Sequence, residues 1–317
     1  MPTSYSPPAR LYALLLKLRP LQSGTLMPFS GELVHGAFLH WLENAAPDVA
    51  AWLHDGNKRR LFTCSSLQFP FPAQRLCEAQ RANVHLPLDP EKTYGVRISL
   101  LLGELLPLFH EALTHFNTAR TEEKKPPFMQ IGKRLFTLEE VIADNGDASG
   151  WTGFTSFPRI IEQTQALRLG KVERLAIEFA SLTTFKRSNQ KSQVYGGHYA
   201  LLPLPHYIFP GLARRWQELA PPEFAGVVQS ERILQYIENE GVVISDYDLK
   251  PHQVHFTTHV QPGFVGRCTY DLRGPDKAAM AEATLTVRQQ LWLLGQLAFY
   301  CGVGYKTAMG MGQVRSI

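Results

Sequence analysis

The glycine-rich stretch Gly302-Val303-Gly304-Tyr305-Lys306-Thr307-Ala308-Met309-Gly310-Met311-Gly312 sits five residues before the end of this 317-residue chain. Four glycines in eleven residues indicate a backbone that takes unusual dihedral angles or approaches another group closely. The glycines alone favour a plain turn between a helix and a strand. Because a lysine stands at the centre, the stretch also predicts a contact with phosphate.

Two familiar phosphate-binding loops do not fit this stretch. A P-loop requires glycine directly before Lys-Thr, and here Tyr305 precedes Lys306. A dinucleotide fingerprint that began at Gly302 would require glycine at position 307, where Thr307 stands. The stretch is therefore interpreted as a loop of another kind.

The residues before the loop predict a well-defined helix. Thr286-Val287-Arg288-Gln289 fits a capping box, in which the Thr hydroxyl and the Gln side chain each satisfy a backbone amide. One apolar face then follows at helical spacing, formed by Val287, Leu291, Leu294 and Ala298. Gly302 occupies the expected C-cap. The sequence thus predicts helix, glycine loop and a short final strand around residues 313–315.

The first half of the chain predicts the order β-α-β-β-α-β, the ferredoxin-like plan. Its predicted strands are 11–18, 61–64, 84–86, 94–102 and 131–141. Its predicted helices begin after Ser30, with a stripe of Leu33, Ala37, Trp41 and Ala45, at Pro47, and near Leu105. The turn-rich segment 144–150 predicts a linker.

The second half is predicted to follow the same plan, since the two halves share element order more than sequence. Strands are predicted at 175–179, 242–246, 252–260 and 264–272, with a helix beginning near Pro210. The predicted fold class is α+β, with two tandem ferredoxin-like domains. The predicted domains are residues 1–147 and 148–317.

The composition, with 44% hydrophobic and 19% charged residues, is typical of a globular protein. The net charge of +4 permits an anionic partner without requiring one. The first residues lack a signal-peptide pattern, and no segment has membrane-spanning length. We therefore expect a cytoplasmic protein with no membrane partner. Four scattered cysteines are expected to stay reduced.

Three histidines close in sequence, His252, His255 and His259, raise the question of a metal site. The β-branched residues around them favour a strand. In a strand, positions 255 and 259 would lie about 13 Å apart, and His252 would face the other side. The sequence therefore predicts no metal site, and it suggests no cofactor.

A histidine followed by a basic run is the best candidate for catalysis. His54 is predicted at a helix end, and Lys58, Arg59 and Arg60 follow within six residues. A histidine can donate or accept a proton near neutral pH. Fixed cations can stabilise the charge that develops on a phosphorane during RNA cleavage. Taken alone, the simpler interpretation of a helix-end histidine remains favoured.

Five stretches, in the same order, together resemble the CRISPR-associated RAMP endoribonucleases that cut precursor CRISPR RNA at its repeats. They are residues 50–55 with 61–67, residues 177–186, residues 205–216, residues 263–270 and the glycine loop. The loop alone is a weak signal, whereas five ordered matches over nearly the whole chain are a strong one.

The resemblance implies tandem ferredoxin-like domains and metal-independent transesterification, with 2′,3′-cyclic phosphate and 5′-hydroxyl products. It also makes His54 the expected catalytic histidine. Some members carry a tyrosine and a lysine at the positions that here are Leu39 and Arg60. We expect Arg60, Lys58 or Arg59 to stabilise phosphorane charge, and His40 is a candidate for the role of the missing tyrosine.

The resemblance also implies an RNA-binding surface and a set of partners. The expected RNA-binding residues are Lys58, Arg59, Lys186, Arg187, Arg214, Arg215, Gly302, Gly304, Lys306, Gly310 and Gly312, with Arg168 and Lys171 as further candidates. The expected partner is the repeat of precursor CRISPR RNA. A second copy of the chain and other CRISPR effector subunits stay open as partners. The alternative function is a non-catalytic RNA-binding RAMP subunit of an effector complex.

Overall fold

The computed structural model describes residues 10–54, 60–118, 128–145, 150–167, 173–187, 198–274 and 285–317. The chain forms two compact units. The first comprises Met1–Phe154, Val254–Gln261 and Ala308–Gly310, and the second comprises Thr155–Gln253, Pro262–Thr307 and Met311–Ile317. The predicted domain boundary, between residues 147 and 148, lies outside the described residues.

The first unit contains the elements of one ferredoxin-like domain. In chain order they are β1 (Arg10–Pro20), β2 (Gly24–Leu26), α1 (Gly31–Ala45), α2 (Pro47–His54), β3 (Phe62–Cys64), α3 (Ala73–Ala82), β4 (Leu86–Leu88), β5 (Tyr94–Leu100), α4 (Leu105–Thr118), β6 (Phe128–Ile131) and β7 (Arg134–Ile142). The short strand β8 (Gly153–Ser156) follows.

The main sheet of the first unit has the strand order β3-β5-β1-β7-β6. Its pairings are antiparallel, with Leu14 opposite Ile98 and Thr63 opposite Ser99. All seven residues of β5 are buried. The order of β3, β5, β1 and β7, with α1 and α4 in the connections, is the ferredoxin-like topology that the sequence predicts.

The second unit continues from β8 with its own set of elements. They are α5 (Phe157–Gln165), β9 (Arg174–Thr183), β10 (Phe185–Arg187), β11 (His198–Ala200), α6 (Pro205–Leu219), α7 (Pro222–Ala225), α8 (Ser230–Glu238), β12 (Val242–His255), β13 (Val260–Leu272), α9 (Val287–Cys301) and β14 (Val314–Ser316). The sheet order β12-β13-β9-β14 repeats the ferredoxin-like pattern. The predicted fold class is confirmed.

Helix α9 begins with the capping box that the sequence predicts. The Gln289 amide donates to Thr286 Oγ1 at 3.3 Å, and the Thr286 amide donates to Gln289 Oε1 at 3.0 Å. The predicted apolar face of α9 is buried. At the other end, the Gly302 amide donates to Ala298 O at 2.8 Å, and Gly302 has φ +69°. Start, buried face and C-cap are all confirmed.

Two predicted boundaries in the second half are wrong. Helix α6 begins at Pro205 rather than near Pro210, because proline suits the first turn of a helix. Pro210 lies inside α6, where a proline removes one amide from the helical ladder. The predicted strand 252–260 is also wrong. Strand β12 ends at His255, and a turn follows in which the Phe256 amide donates to His259 O at 2.9 Å.

Other differences concern elements that carry weak sequence signals. Of the predicted strand 131–141, residues 134–141 belong to β7, whereas Ile131 ends β6 and Gly132 turns the chain with φ +61°. Helices α3, α5 and α8 have no counterpart in the sequence prediction. Among the described residues, no helix combines the length and apolar character needed to cross a membrane.

The capping box gives a direct test of how α9 is stabilised. Thr286→Ala removes the hydroxyl that satisfies the Gln289 amide, which should cost about 1 kcal/mol of stability. For a unit of this size we expect the unfolding midpoint to fall by about 2–4 °C. Thr286→Ser keeps the hydroxyl and serves as the control. Equal midpoints for the Ala and Ser variants in thermal unfolding would contradict a role for the cap.

Candidate functional site

The glycine loop takes left-handed backbone angles at each of its four glycines. Gly302, Gly304, Gly310 and Gly312 have φ values of +69°, +86°, +87° and +66°. Residues with a side chain rarely adopt such angles, which explains the choice of glycine at these positions. Lys306 also has a positive φ, of +56°, although it is not glycine.

Hydrogen bonds hold the loop closed and attach it to the end of β9. The Val303 amide donates to Gly312 O at 2.8 Å, which brings the two ends of the loop together. The amides of Tyr305 and Gly312 donate to Thr184 O and Leu182 O, both at 2.9 Å. The amides of Gly302 and Gly312 are therefore bonded within the protein and do not point to a ligand.

Residues 308–310 of the loop, which belong to the first unit, are held by β3 and α1. Ala308 O accepts a hydrogen bond from Cys64 Sγ at 2.9 Å, and His35 Nδ1 lies 2.9 Å from the same oxygen. The Gly310 amide donates to Cys64 O at 3.0 Å. Burial raises the pKa of the Cys64 thiol, so the thiol stays protonated and can donate.

His35 is fixed in one tautomer by this arrangement. A carbonyl oxygen can only accept, so His35 Nδ1 carries the proton. The ring is buried and stacks on Phe62, with centroids 5.2 Å apart. His35 therefore supports the loop and is a residue whose role the sequence did not reveal, since its partner is 273 positions away.

Two lysines and two tyrosines come together in the second unit. Lys186 Nζ lies 5.4 Å and Lys306 Nζ 5.6 Å from the centre of the Tyr305 ring. The ring of Tyr199 lies 6.0 Å from that of Tyr305. We call Lys186, Tyr199, Tyr305 and Lys306 the tyrosine–lysine cluster. Two of the predicted RNA-binding residues are thus neighbours, while the sequence prediction did not include either tyrosine.

Two of the three predicted catalytic residues, His54 and Arg60, lie around the end of α2. His54 is the last residue of α2, and its side chain lies outside the described part of the structure. Arg60 is half-buried, and its Nη1 donates to Leu53 O, the carbonyl directly before His54. The structure therefore places the Arg60 guanidinium at the helix end that carries His54.

The third catalytic candidate, His40, lies on an exposed face of α1. Its Nδ1 is 3.7 Å from Glu43 Oε2, so the two side chains form an ion pair when the histidine is protonated. Leu39, at the position where some similar proteins have a tyrosine, is buried in the core of the first unit. Leu39 therefore contributes to packing.

The other predicted RNA-binding residues have different surroundings. Arg214 is exposed on α6, whereas Arg215 is buried and donates to Glu218 Oε2 at 3.1 Å. Arg187 belongs to β10, but its side chain is not described. Lys58, Arg59, Arg168 and Lys171 lie outside the described residues. The ion pair gives Arg215 a structural partner, so Arg214 is the better candidate of the two for a ligand.

The described residues contain no group of three or more side chains that could hold a metal ion. His252 lies in β12 of the second unit, while His255 and His259 stand on either side of the turn that follows. The three histidines do not share one strand, so the argument against a shared metal site that assumed a single strand over residues 252–260 is wrong.

Two protein-family models match this chain. The model described as "CRISPR Cas6 N-terminal domain" matches residues 10–162, and "CRISPR-associated endoribonuclease Cas6" matches residues 177–314. The chain belongs to the Cas6 family. The family prediction made from the five ordered stretches is thereby confirmed.

Curated relatives in the Cas6 family include proteins of two Mycobacterium tuberculosis strains, CDC 1551 / Oshkosh and ATCC 25618 / H37Rv. Each is a CRISPR-associated endoribonuclease Cas6 that is 28% identical to this chain over 151 residues. The match covers 46% of this chain and 39% of each relative. It therefore spans only about two fifths of the length of the relatives.

Solved Cas6 structures share the fold over nearly the whole chain. A Cas6 product complex has a TM-score of 0.70 at 23% identity and covers 98% of this chain and 100% of its own. A Thermus thermophilus Cas6 has a TM-score of 0.62 at 23% identity, with 98% and 99% covered. These similarities support the two tandem ferredoxin-like domains.

Close packing around Gly310 predicts that a side chain at this position would destabilise the protein. A Cβ on Gly310 would lie 2.9 Å from both Gly31 Cα and Ser66 Oγ, at a φ of +87°. Gly310→Ala should therefore destabilise the protein by at least about 1–2 kcal/mol, the cost of left-handed backbone for a residue with a Cβ. Chemical unfolding of the variant would measure this loss.

Gly36 in α1 provides a matched control for Gly310. It is exposed, and a Cβ there would meet nothing within 4 Å. Because alanine favours a helix interior over glycine, Gly36→Ala should raise stability by up to about 1 kcal/mol. If both variants changed stability in the same direction, the packing argument for Gly310 would be wrong.

Proposed function

We propose that this protein is an endoribonuclease that cleaves precursor CRISPR RNA within its repeats and releases guide RNAs. The observation that carries the proposal is the Arg60 guanidinium bound to the Leu53 carbonyl, at the end of α2 that carries His54. Membership of the Cas6 family supports the same activity. A solved Cas6 product complex provides a fold-level parallel.

The proposed reaction is a transesterification in which the RNA supplies its own nucleophile. A base takes the proton of the 2′-hydroxyl, and the 2′-oxygen attacks the adjacent phosphorus. The bond from phosphorus to the 5′-oxygen then breaks, and an acid protonates that oxygen. The products are a 2′,3′-cyclic phosphate and a 5′-hydroxyl. Since no water is activated, the proposed step needs no metal-bound hydroxide.

The residues at the end of α2 fit the two requirements of this reaction. His54 handles one of the protons, as base or acid. The Arg60 guanidinium can donate hydrogen bonds to the phosphorane oxygens. Its bond to Leu53 O fixes the guanidinium beside His54 in the chain. His40 is the candidate for the second proton transfer.

RNA binding is proposed to involve the tyrosine–lysine cluster and Arg214. Lys306 extends from the glycine loop, and Lys186 lies beside the same Tyr305 ring. Lysines bind phosphate as point charges without reading the base. The glycines of the loop shape the backbone that presents Lys306. Direct RNA contacts by Gly302, Gly304, Gly310 and Gly312, and by Lys58, Arg59, Arg187 and Arg215, stay predictions.

Cleavage of repeat RNA tests the role of His54. In excess EDTA, the wild-type protein should cut the RNA and leave a 2′,3′-cyclic phosphate, and His54→Ala should cut about 10²–10⁴-fold more slowly. A 2′-deoxy substitution at the cut nucleotide should stop cleavage and leave binding intact, because it removes the nucleophile. Single-turnover rates and end analysis of the products measure these effects.

The matched control for His54 is His110→Ala, since His110 is an exposed histidine on α4. Loss of cleavage with EDTA, or a His54→Ala rate equal to that of His110→Ala, would contradict the proposal. Arg60→Lys should retain more activity than Arg60→Ala, because lysine keeps the positive charge although it lacks the planar guanidinium group. Binding without any cleavage would indicate the alternative, a non-catalytic RNA-binding subunit.

The left-handed backbone of Lys306 allows its charge to be separated from its effect on folding. Lys306→Gly removes the ammonium group and relieves a backbone cost of about 1–2 kcal/mol. We therefore expect equal or higher stability together with weaker RNA binding. The dependence of log K on log salt should become shallower by about 0.7 if one single-strand phosphate contact is lost.

Lys133→Ala, at an exposed lysine in the turn between β6 and β7, is the control for loss of one positive charge. It should change the salt slope much less than Lys306→Gly. An unchanged slope in Lys306→Gly would show that Lys306 serves the loop and not the RNA. Titration of labelled repeat RNA at several salt concentrations provides the measurement.

A further inference from the structure

Strand pairing and hydrogen bonds within the second unit hold the tyrosine–lysine cluster. Strands β10 and β11 pair Lys186 with Tyr199, so these two side chains stand directly opposite each other across the ladder. At the start of the ladder, the Tyr305 amide donates to Thr184 O and Thr184 Oγ1 donates to Ala200 O at 3.3 Å. Neighbouring strands and the glycine loop therefore fix all four residues.

The aromatic part of the cluster has the form of a stacking surface. The rings of Tyr199 and Tyr305 are inclined by 40°, and both residues are half-buried. Behind the ladder, Phe185 is buried and contacts Tyr207, with ring centroids 5.6 Å apart. The apolar support lies on one side, and the two tyrosines keep part of their surface open to a ligand.

The charged part of the cluster brings two like charges towards one ring. Lys186 Nζ and Lys306 Nζ lie 5.4 and 5.6 Å from the centre of Tyr305. Each ammonium group is attracted by the ring, but the two repel one another. An anionic group bound beside them would remove this repulsion. The lysines thus favour a phosphate, and the rings favour a flat ligand next to it.

We infer that the tyrosine–lysine cluster holds one unpaired nucleotide of the RNA, with its base packed against the rings of Tyr199 and Tyr305 and its flanking phosphates bound by Lys186 and Lys306. The inference rests on the proposed function. Aromatic stacking combined with basic side chains is typical of single-strand recognition. In a duplex the faces of the bases are covered by their neighbours, so side chains contact mainly phosphates and sugars.

The stacked nucleotide would add selectivity that phosphate contacts cannot provide. Phosphate contacts position an RNA regardless of its sequence. A stacking site requires an unpaired base that can unstack from the neighbouring bases of the RNA. The cluster would therefore favour a repeat with an unpaired nucleotide at one defined distance from the cut. An acidic peptide would use the lysines but would gain little from the ring faces.

Fluorescent base analogues provide the experiment. 2-Aminopurine is placed at each unpaired position of a repeat RNA that carries a 2′-deoxy substitution at the cut site, so that binding occurs without cleavage. With the wild-type protein, one position should show strong quenching, since stacking quenches this fluorophore. Tyr199→Phe and Tyr305→Phe keep a ring and should retain the quenching.

Tyr199→Leu and Tyr305→Leu remove the ring and keep an apolar side chain. Each should abolish the quenching and raise Kd about 5- to 150-fold, the range measured for loss of one stacked base. The salt slope should stay unchanged in the tyrosine variants and become shallower in Lys186→Ala. Thermal unfolding equal to that of the Phe variants confirms that each Leu variant is folded.

The results separate this inference from the proposed function. The inferred stacking site is wrong if both Leu variants bind the RNA and quench the fluorophore as the wild type does. It is also wrong if the Leu variants raise Kd equally for a fully paired repeat. Neither outcome would contradict cleavage of the RNA. A loss of affinity in Lys186→Ala alone would indicate an acidic ligand held without stacking and would also overturn it. If the wild type neither binds nor cleaves repeat RNA, the proposed function fails first and the inference fails with it.

Discussion

The hydrogen bond from the Val303 amide to Gly312 O closes the glycine loop, and much of the described architecture near the end of the chain depends on it. The bond forms only because the glycines between helix α9 and strand β14 adopt left-handed backbone angles. A Cβ at Gly312 would lie 2.1 Å from Val303 O and would break this closure. Glycine is therefore required by packing before any ligand is considered.

The closed loop holds two sets of residues in place. Tyr305 and Lys306 are held beside β10 and β11 because the Tyr305 amide bonds to the end of β9. Ala308 and Gly310 are held by Cys64, which donates through its thiol and accepts through its carbonyl. The loop thus works mainly as a scaffold. Its own glycine amides at 302, 310 and 312 are bonded to protein carbonyls.

Local signals in the sequence predicted the parts of the fold that depend on neighbours in the chain. The capping box of α9, its buried face and the C-cap at Gly302 all lie between Thr286 and Gly302, so their pattern is complete in the sequence. The turn after His255 was missed because β-branched residues on both sides favour a strand. Strand propensity alone does not show where a long hairpin reverses.

The residues of the candidate sites also divide into those that are close in the sequence and those that only the fold brings together. His54 and Arg60 are close in the chain, so sequence alone could join them, and the bond from Arg60 to Leu53 O supports that choice. Tyr199 stands opposite Lys186 only through the register of β10 and β11. Tyr305 then reaches both through the closed loop. Long-range pairing of this kind leaves no periodic signal in the sequence.

Lys306 adopts a backbone conformation that opposes its folding preference. Its φ of +56° is a conformation in which glycine or asparagine would be more stable. The surrounding bonds of Tyr305 and Met311 hold this backbone in place, so the strain is supported by the loop on both sides. Strained residues that a structure holds in this way cluster at functional sites. A glycine at this position would relieve the backbone cost, so the strain at Lys306 supports the proposed RNA contact.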